Sequence, residues 1–143
     1  VEALMVAYSF KKQFIDPICV GLGIPRLVDV GPLPAPKRQT IRANRKRHAR
    51  PGEELQLYCG MRTRHFSLIG RARCTAVEDI RMDFNQWPRV YKDSGHCEDA
   101  VSLDEFARQD GFTNWFELFQ FWRKEHGNIV IFSGKLIRWK PLT

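Results

Sequence analysis

Apolar residues run almost unbroken through Leu4-Met5-Val6-Ala7-Tyr8-Ser9-Phe10, which reads as a buried first strand. The period then changes. Phe14, Ile15, Ile18 and Leu22 recur at helical spacing, with Ser9 as a candidate cap and Pro17 acceptable only in the first turn or as a kink. From Gly21 to Pro36, three glycines and the prolines 25, 32, 34 and 36 exclude a regular element and predict a stiff surface loop. Beyond it, Thr40-Ile41-Arg42 is strand-like, and Glu54 to Cys59 alternates so that Leu55 and Leu57 share one face. Phe66 to Ile80 predicts a long strand broken near Gly70, with Arg71 and Arg73 on one face. Asp83 to Tyr91 predicts a further strand that Pro88 pushes to an edge.

Two helices follow. Ser102-Leu103-Asp104-Glu105 has the form of a capping box, so a short helix is expected from Leu103 to a stop at Gly111. Thr113 is the expected cap of the second. Its Trp115, Leu118, Phe119 and Trp122 form a stripe at i, i+3, i+4, i+7, with Gly127 as terminator. The stripe reads as core packing, not as a base-stacking platform. Ile129 to Phe132 and Leu136 to Trp139 supply the last strand or strands. This order predicts an α+β domain, and periodicity alone does not separate a small barrel from an open sheet.

Composition narrows the class. A length of 143 residues fits a single domain, 1–143, and 43% hydrophobic residues with ten phenylalanines and four tryptophans suit a folded core. Twenty-three Lys and Arg against sixteen Asp and Glu leave a charge of +7, which makes nucleic acid the default partner of a small basic domain. Cysteines at 19, 59, 74 and 97 form no CxxC pair and read as free thiols of a reducing compartment, with Cys59 and Cys74 inside apolar strands. Histidines 48, 65, 96 and 126 are scattered, so no metal site and no cofactor is expected. There is no apolar run of membrane-spanning length and no signal-like start, so a cytoplasmic protein without membrane contact is expected.

The candidate chemistry lies in Lys37-Arg38-Gln39-Thr40-Ile41-Arg42. A neutral lysine amine can take the proton of a hydroxyl, and neighbouring guanidinium groups with partial burial favour that neutral form. The bland alternative is a pair of solvated charges at the mouth of a strand with a β-branched residue suited to it. In a regular strand residues three apart face opposite ways, so Lys37 and Thr40 share a cleft only where the backbone turns. Asn44 to Arg50 places five basic residues in seven beside this segment, and Gly60 to His65 is a second basic turn. Arg38, Arg42, Arg45, Lys46, Arg47, Arg62 and Arg64 are the candidate nucleic-acid contacts. Asp110 stands at the exit of the first predicted C-terminal helix, where an acid opposes the helix dipole. Its bland alternative is an ordinary Asp-Gly turn.

Taken together, Lys37 to Arg42, the loop Arg50-Pro51-Gly52-Glu53-Glu54-Leu55, Leu57-Tyr58-Cys59 and Leu68-Ile69-Gly70-Arg71-Ala72-Arg73-Cys74 resemble the ASCH domain family of the PUA-like superfamily. Phe106 to Phe112 and Gly134 to Trp139 resemble that family's second helix entry and last strand. The resemblance implies a small PUA-like mixed β-barrel with flanking helices and a cleft between them. It makes the stretch of about 21–36 an insertion. It also implies a catalytic trio of Lys37, Thr40 and Asp110, as in members that hydrolyse acetylated cytidine, although those carry glutamate where this chain has Asp110. Three activities follow from it: an amidohydrolase of acetylated cytidine or another modified nucleoside, a ribonuclease, and an RNA-binding module without catalysis. The expected partner is RNA or a modified nucleoside or nucleotide.

Overall fold

The computed structural model describes residues 5–26 and 31–142, so Leu4 and positions 27–30 of the predicted loop lie outside the described residues. In chain order the elements are β1 (Met5–Phe10), a 3-10 turn (Lys12–Phe14), α1 (Ile15–Leu22), β2 (Gln39–Arg42) and β3 (Glu54–Cys59). There follow β4 (Ser67–Asp83), β5 (Arg89–Lys92), α2 (Ala100–Gln109), α3 (Trp115–His126) and β6 (Ile131–Pro141). The fold is α+β. Pro17 sits in the first turn of α1, where its missing N–H has no intrahelical partner to lose. Gly21, expected in the loop, lies inside that helix, which ends at Leu22.

The strands form one six-stranded sheet in the order β1-β3-β4-β6-β2, with β5 beside β4. β1 runs parallel to β3 and every other pair is antiparallel. β4 is the spine. One of its sides carries β3 and then β5, and the other carries β6 from Ala72 to Asp83. It runs on through Gly70, and the expected interruption there takes the form of a register shift against β3 at Ile69. Leu55, Leu57, Ala72, Met82, Leu136 and Ile137 are fully buried, the consecutive Leu136 and Ile137 on opposite faces of the sheet, and Leu118 and Trp122 of α3 belong to the same core. Trp115 and Phe119 of the aromatic stripe are half-buried, and both rings pack on Phe84.

The expected closed barrel does not form. β1 and β2 stand at opposite ends of the strand order, and no ladder joins them among the described residues. The sheet nonetheless curls until these edges approach, because the Arg42 Nη2 of β2 donates to the Ser9 carbonyl of β1 at 2.6 Å. A side chain occupies the seam where a closing ladder would need backbone.

Local signals were displaced as well. Asp99, not Ser102, caps α2, its carboxylate accepting from Ser102 N at 2.8 Å, so the helix starts three residues before Leu103. Asn114, not Thr113, caps α3 through Glu117 N. Of Asp83 to Tyr91, the strand β5 begins only after Pro88, and it is an edge strand. The two predicted C-terminal runs are one strand, β6.

Candidate active site

Lys37 and Arg38 are wedged between α1, α2 and β6. Lys37 N donates to Pro17 O at 2.9 Å, Arg38 N to Gln109 O at 3.4 Å, and Trp139 N to Arg38 O at 3.0 Å. Two glycines permit the close fit. A Cβ at Gly21 would lie 2.5 Å from the Lys37 carbonyl oxygen, and Gly111, at φ +93°, presses on the Lys37 stem as α2 ends.

The exit of α2 therefore meets the lysine directly. The Lys37 Nζ donates to the Asp110 backbone carbonyl at 2.6 Å and lies 3.4 Å from the Asp110 carboxylate. Gln39 Nε2 donates to the same carboxylate oxygen at 3.3 Å. Lys37 and Gln39 are each 2% exposed and Asp110 5%. The Phe14 and Phe10 rings stand 4.7 and 5.6 Å from Nζ. Burial pushes the Lys37 amine below its usual range, with Arg42 adding to the effect and the Asp110 charge opposing it. The Asp110 carboxyl is pushed up by burial, against Lys37 and Gln39. Both shifts favour the uncharged forms, so a neutral Lys37 amine able to accept a proton is more accessible than in a free lysine.

Thr40 is buried in the same cleft. Its hydroxyl accepts from Arg42 Nε at 3.0 Å, and no hydrogen bond links it to Lys37 among the described residues. Lys37 lies two residues ahead of β2, its N–H held by Pro17 O of α1, and both Lys37 and Thr40 line the cleft. The Arg42 guanidinium lies over the Phe10 and Tyr8 rings at 4.9 and 5.3 Å. The cleft, about 270 Å³, opens along the seam between β1 and β2, with Phe121 and Trp122 of α3 as its far wall. Lys11 and Glu125 pair across its rim at 3.3 Å.

The basic residues divide into two groups. In the 44–50 loop, Arg47 pairs with Glu53 at 2.5 Å, and Arg45 donates to Arg47 O at 2.7 Å while lying over the Tyr8 ring. His48 bonds Tyr8 Oη and Ala43 O, each at 2.9 Å, and Ala49 is buried. Tyr8 and Ala49 anchor this basic loop to the core. Arg38 turns outward and donates to Gly21 O at 2.8 Å. Lys46, Arg62 and Arg64 are exposed, with no side-chain partner among the described residues. Arg62 holds a left-handed φ of 69°.

Three residues of the site were missed in the sequence. Gln39 carried a signal, since it stands two positions from Lys37 and so faces the same way from an extended chain. Tyr8 and His48 carried none. The four cysteines are free, and burial pushes the Cys74 thiol up to about 11, so it is a poor nucleophile; Cys59 is only half-buried. Among the described residues no three His, Cys, Asp or Glu side chains are grouped to hold a metal, and no helix is long and apolar enough to cross a membrane. No family model, no curated protein and no solved structure matches this chain.

Proposed function

We propose that this is a nucleic-acid-interacting, PUA-like domain that binds RNA and takes one nucleoside into the β1–β2 seam, where Lys37, Thr40 and Asp110 form a hydrolytic site. The observation that carries this reading is the buried Lys37–Asp110 pair at the wall of an open cleft that also holds the Thr40 hydroxyl. The curled sheet with helices packed at its open seam supports the PUA-like part. On an acetylated cytidine, Thr40 Oγ1 attacks the amide carbonyl carbon as Lys37 Nζ takes its proton, directly or through one water. The C–N bond then breaks, Lys37 returns the proton to the leaving amine, and water frees the acetyl group from Thr40. Asp110 stabilises the lysine while it is charged. Arg42 Nε, already on the Thr40 oxygen, favours the developing alkoxide.

The test is incubation with acetylated cytidine and, separately, with single-stranded RNA, reading deacetylation, cleavage and binding. Deacetylation or cleavage is expected, and Lys37→Ala should reduce turnover by about 100-fold or more with binding near normal. Absence of turnover on both substrates removes the hydrolase reading.

A second reading rests on the 2.6 Å bond from Lys37 Nζ to the Asp110 carbonyl. In it Lys37 caps the C-terminal end of α2 and the domain is an RNA-binding module without catalysis. RNA affinity without turnover, together with a loss of stability in Lys37→Ala, is its signature.

A further inference from the structure

The charges around the cleft do not balance. Lys37 and Asp110 offset one another, and at the rim Lys11 and Glu125 do the same. Arg42 remains, half-buried, with no carboxylate in contact among the described residues. It is held by neutral partners alone: the Thr40 hydroxyl at Nε, the Ser9 carbonyl at Nη2, and the faces of Phe10 and Tyr8. Its Nη1 has no protein partner among the described residues. Lysine can relieve such an imbalance by losing its proton, whereas arginine stays charged at any ordinary pH. Burial works against that charge most strongly and Arg45 adds to it, while Tyr8 and the more distant Asp110 offset them in part. An uncompensated cation facing a cleft is relieved most directly by an anion from outside.

We propose that the cleft is an oxyanion site: its ligand carries a phosphate group that sits between Arg42 Nη1 and the Lys11 amine, so the substrate is a nucleotide or an RNA phosphodiester, not a free nucleoside. This rests on the nucleoside-binding reading and narrows it. A volume of about 270 Å³ in a cleft open at the rim suits one nucleoside inside with its phosphate at the mouth. Glu125 then acts as a built-in competitor, since its carboxylate holds Lys11 at 3.3 Å and an arriving phosphate must replace it.

The experiment is calorimetric titration at constant ionic strength with cytidine, cytidine monophosphate, the dinucleotide CpC and inorganic phosphate. Cytidine monophosphate or CpC is expected to bind at least about tenfold more tightly than cytidine, as one charge-assisted contact to an arginine permits. The tighter of the two tells whether the site takes a terminal phosphate or a phosphodiester. Arg42→Gln should collapse the advantage of the anionic ligand. Glu125→Gln, on the exposed side of α3, should enlarge it a few-fold by freeing Lys11. Equal affinity for cytidine, cytidine monophosphate and CpC overturns the oxyanion site and leaves the nucleoside pocket standing. Binding of inorganic phosphate without any nucleoside, nucleotide or dinucleotide keeps the oxyanion site and removes the nucleoside reading. No binding of any of the four overturns both.

Discussion

Glu78 and Asp110 are both buried carboxylates beside a basic group, and they are built differently. Glu78 of β4 is 8% exposed, yet its carboxylate accepts from Ser94 N at 2.7 Å and Ser94 Oγ at 2.9 Å, with Arg138 Nη1 further off at 3.7 Å. Its oxygens are satisfied by short, neutral donors, and the result ties the turn after β5 to the sheet. Asp110 has only longer contacts, 3.3 Å to Gln39 and 3.4 Å to Lys37, beside a cleft. A carboxylate that serves structure is hydrogen-bonded first and paired second. One that is paired first, and loosely, keeps its charge available to a ligand or a proton.

The largest expected effect is on the pair at the cleft. Asp110→Ala leaves the Lys37 amine buried without a counter-charge and should cost about 3 to 5 kcal/mol in urea unfolding. Lys37→Met combined with Asp110→Leu should recover much of that loss, because an apolar pair needs no compensation. A cost below about 1 kcal/mol for Asp110→Ala would mean that the pair is not desolvated, and the contrast with Glu78 would disappear.

Glu78→Ala should cost about 1 to 3 kcal/mol, the penalty of losing the acceptor for a backbone and a hydroxyl donor. The Ser94 amide should then exchange faster with solvent. No change in that exchange rate would deny Glu78 its anchoring role.

Salt dependence of RNA binding extends the contrast to the basic segments. Arg62→Ala or Arg64→Ala, each removing an exposed cation with no side-chain partner among the described residues, should make the slope of log affinity against log salt shallower by roughly 0.7. Arg47→Ala should leave it nearly unchanged, since that guanidinium is held by Glu53. Equal effects of the three would show that the ion pair opens on binding.

The smallest effect concerns His48. The Ala43 carbonyl only accepts, so Nε2 carries the proton and Nδ1 accepts from the Tyr8 hydroxyl. Burial, with Arg45, Arg42 and Lys135, holds the imidazole below its usual range, against the Ala43 hydrogen bond. The folded state thus disfavours protonation. The His48 contribution to stability is present above about pH 6.5 and lost as pH falls through the lowered value. His48→Gln should flatten the acid side of the stability profile; an unchanged profile would show that His48 titrates as freely in the fold as outside it.

Much of the architecture was legible because it depends on neighbours in the chain. Leu55 and Leu57 alternate into the core, the stripe through Leu118 and Trp122 buries one side of α3, and Gly111 and Gly127 end their helices. The caps were misplaced by one to three residues because Asp99 competes with Ser102, and Asn114 with Thr113, for the same few backbone donors. Lys37 and Thr40 were also visible as an amine and a hydroxyl three positions apart, and Asp110 as an acid at a helix exit, and the three line one cleft.

What joins them was not visible. Sequence determined the elements, the inward positions and the excess of positive charge, since periodicity, turn chemistry and composition are properties of short stretches. Tertiary structure decided that β1 and β2 stop short of pairing, that Arg42 spans the gap, and that Glu53 and Tyr8 claim the 44–50 loop. Those outcomes turn on contacts between residues up to 41 positions apart, such as Ala49 N to Tyr8 Oη. Whether a charge is free, paired or buried is settled by which distant group reaches it first, and no local pattern encodes that.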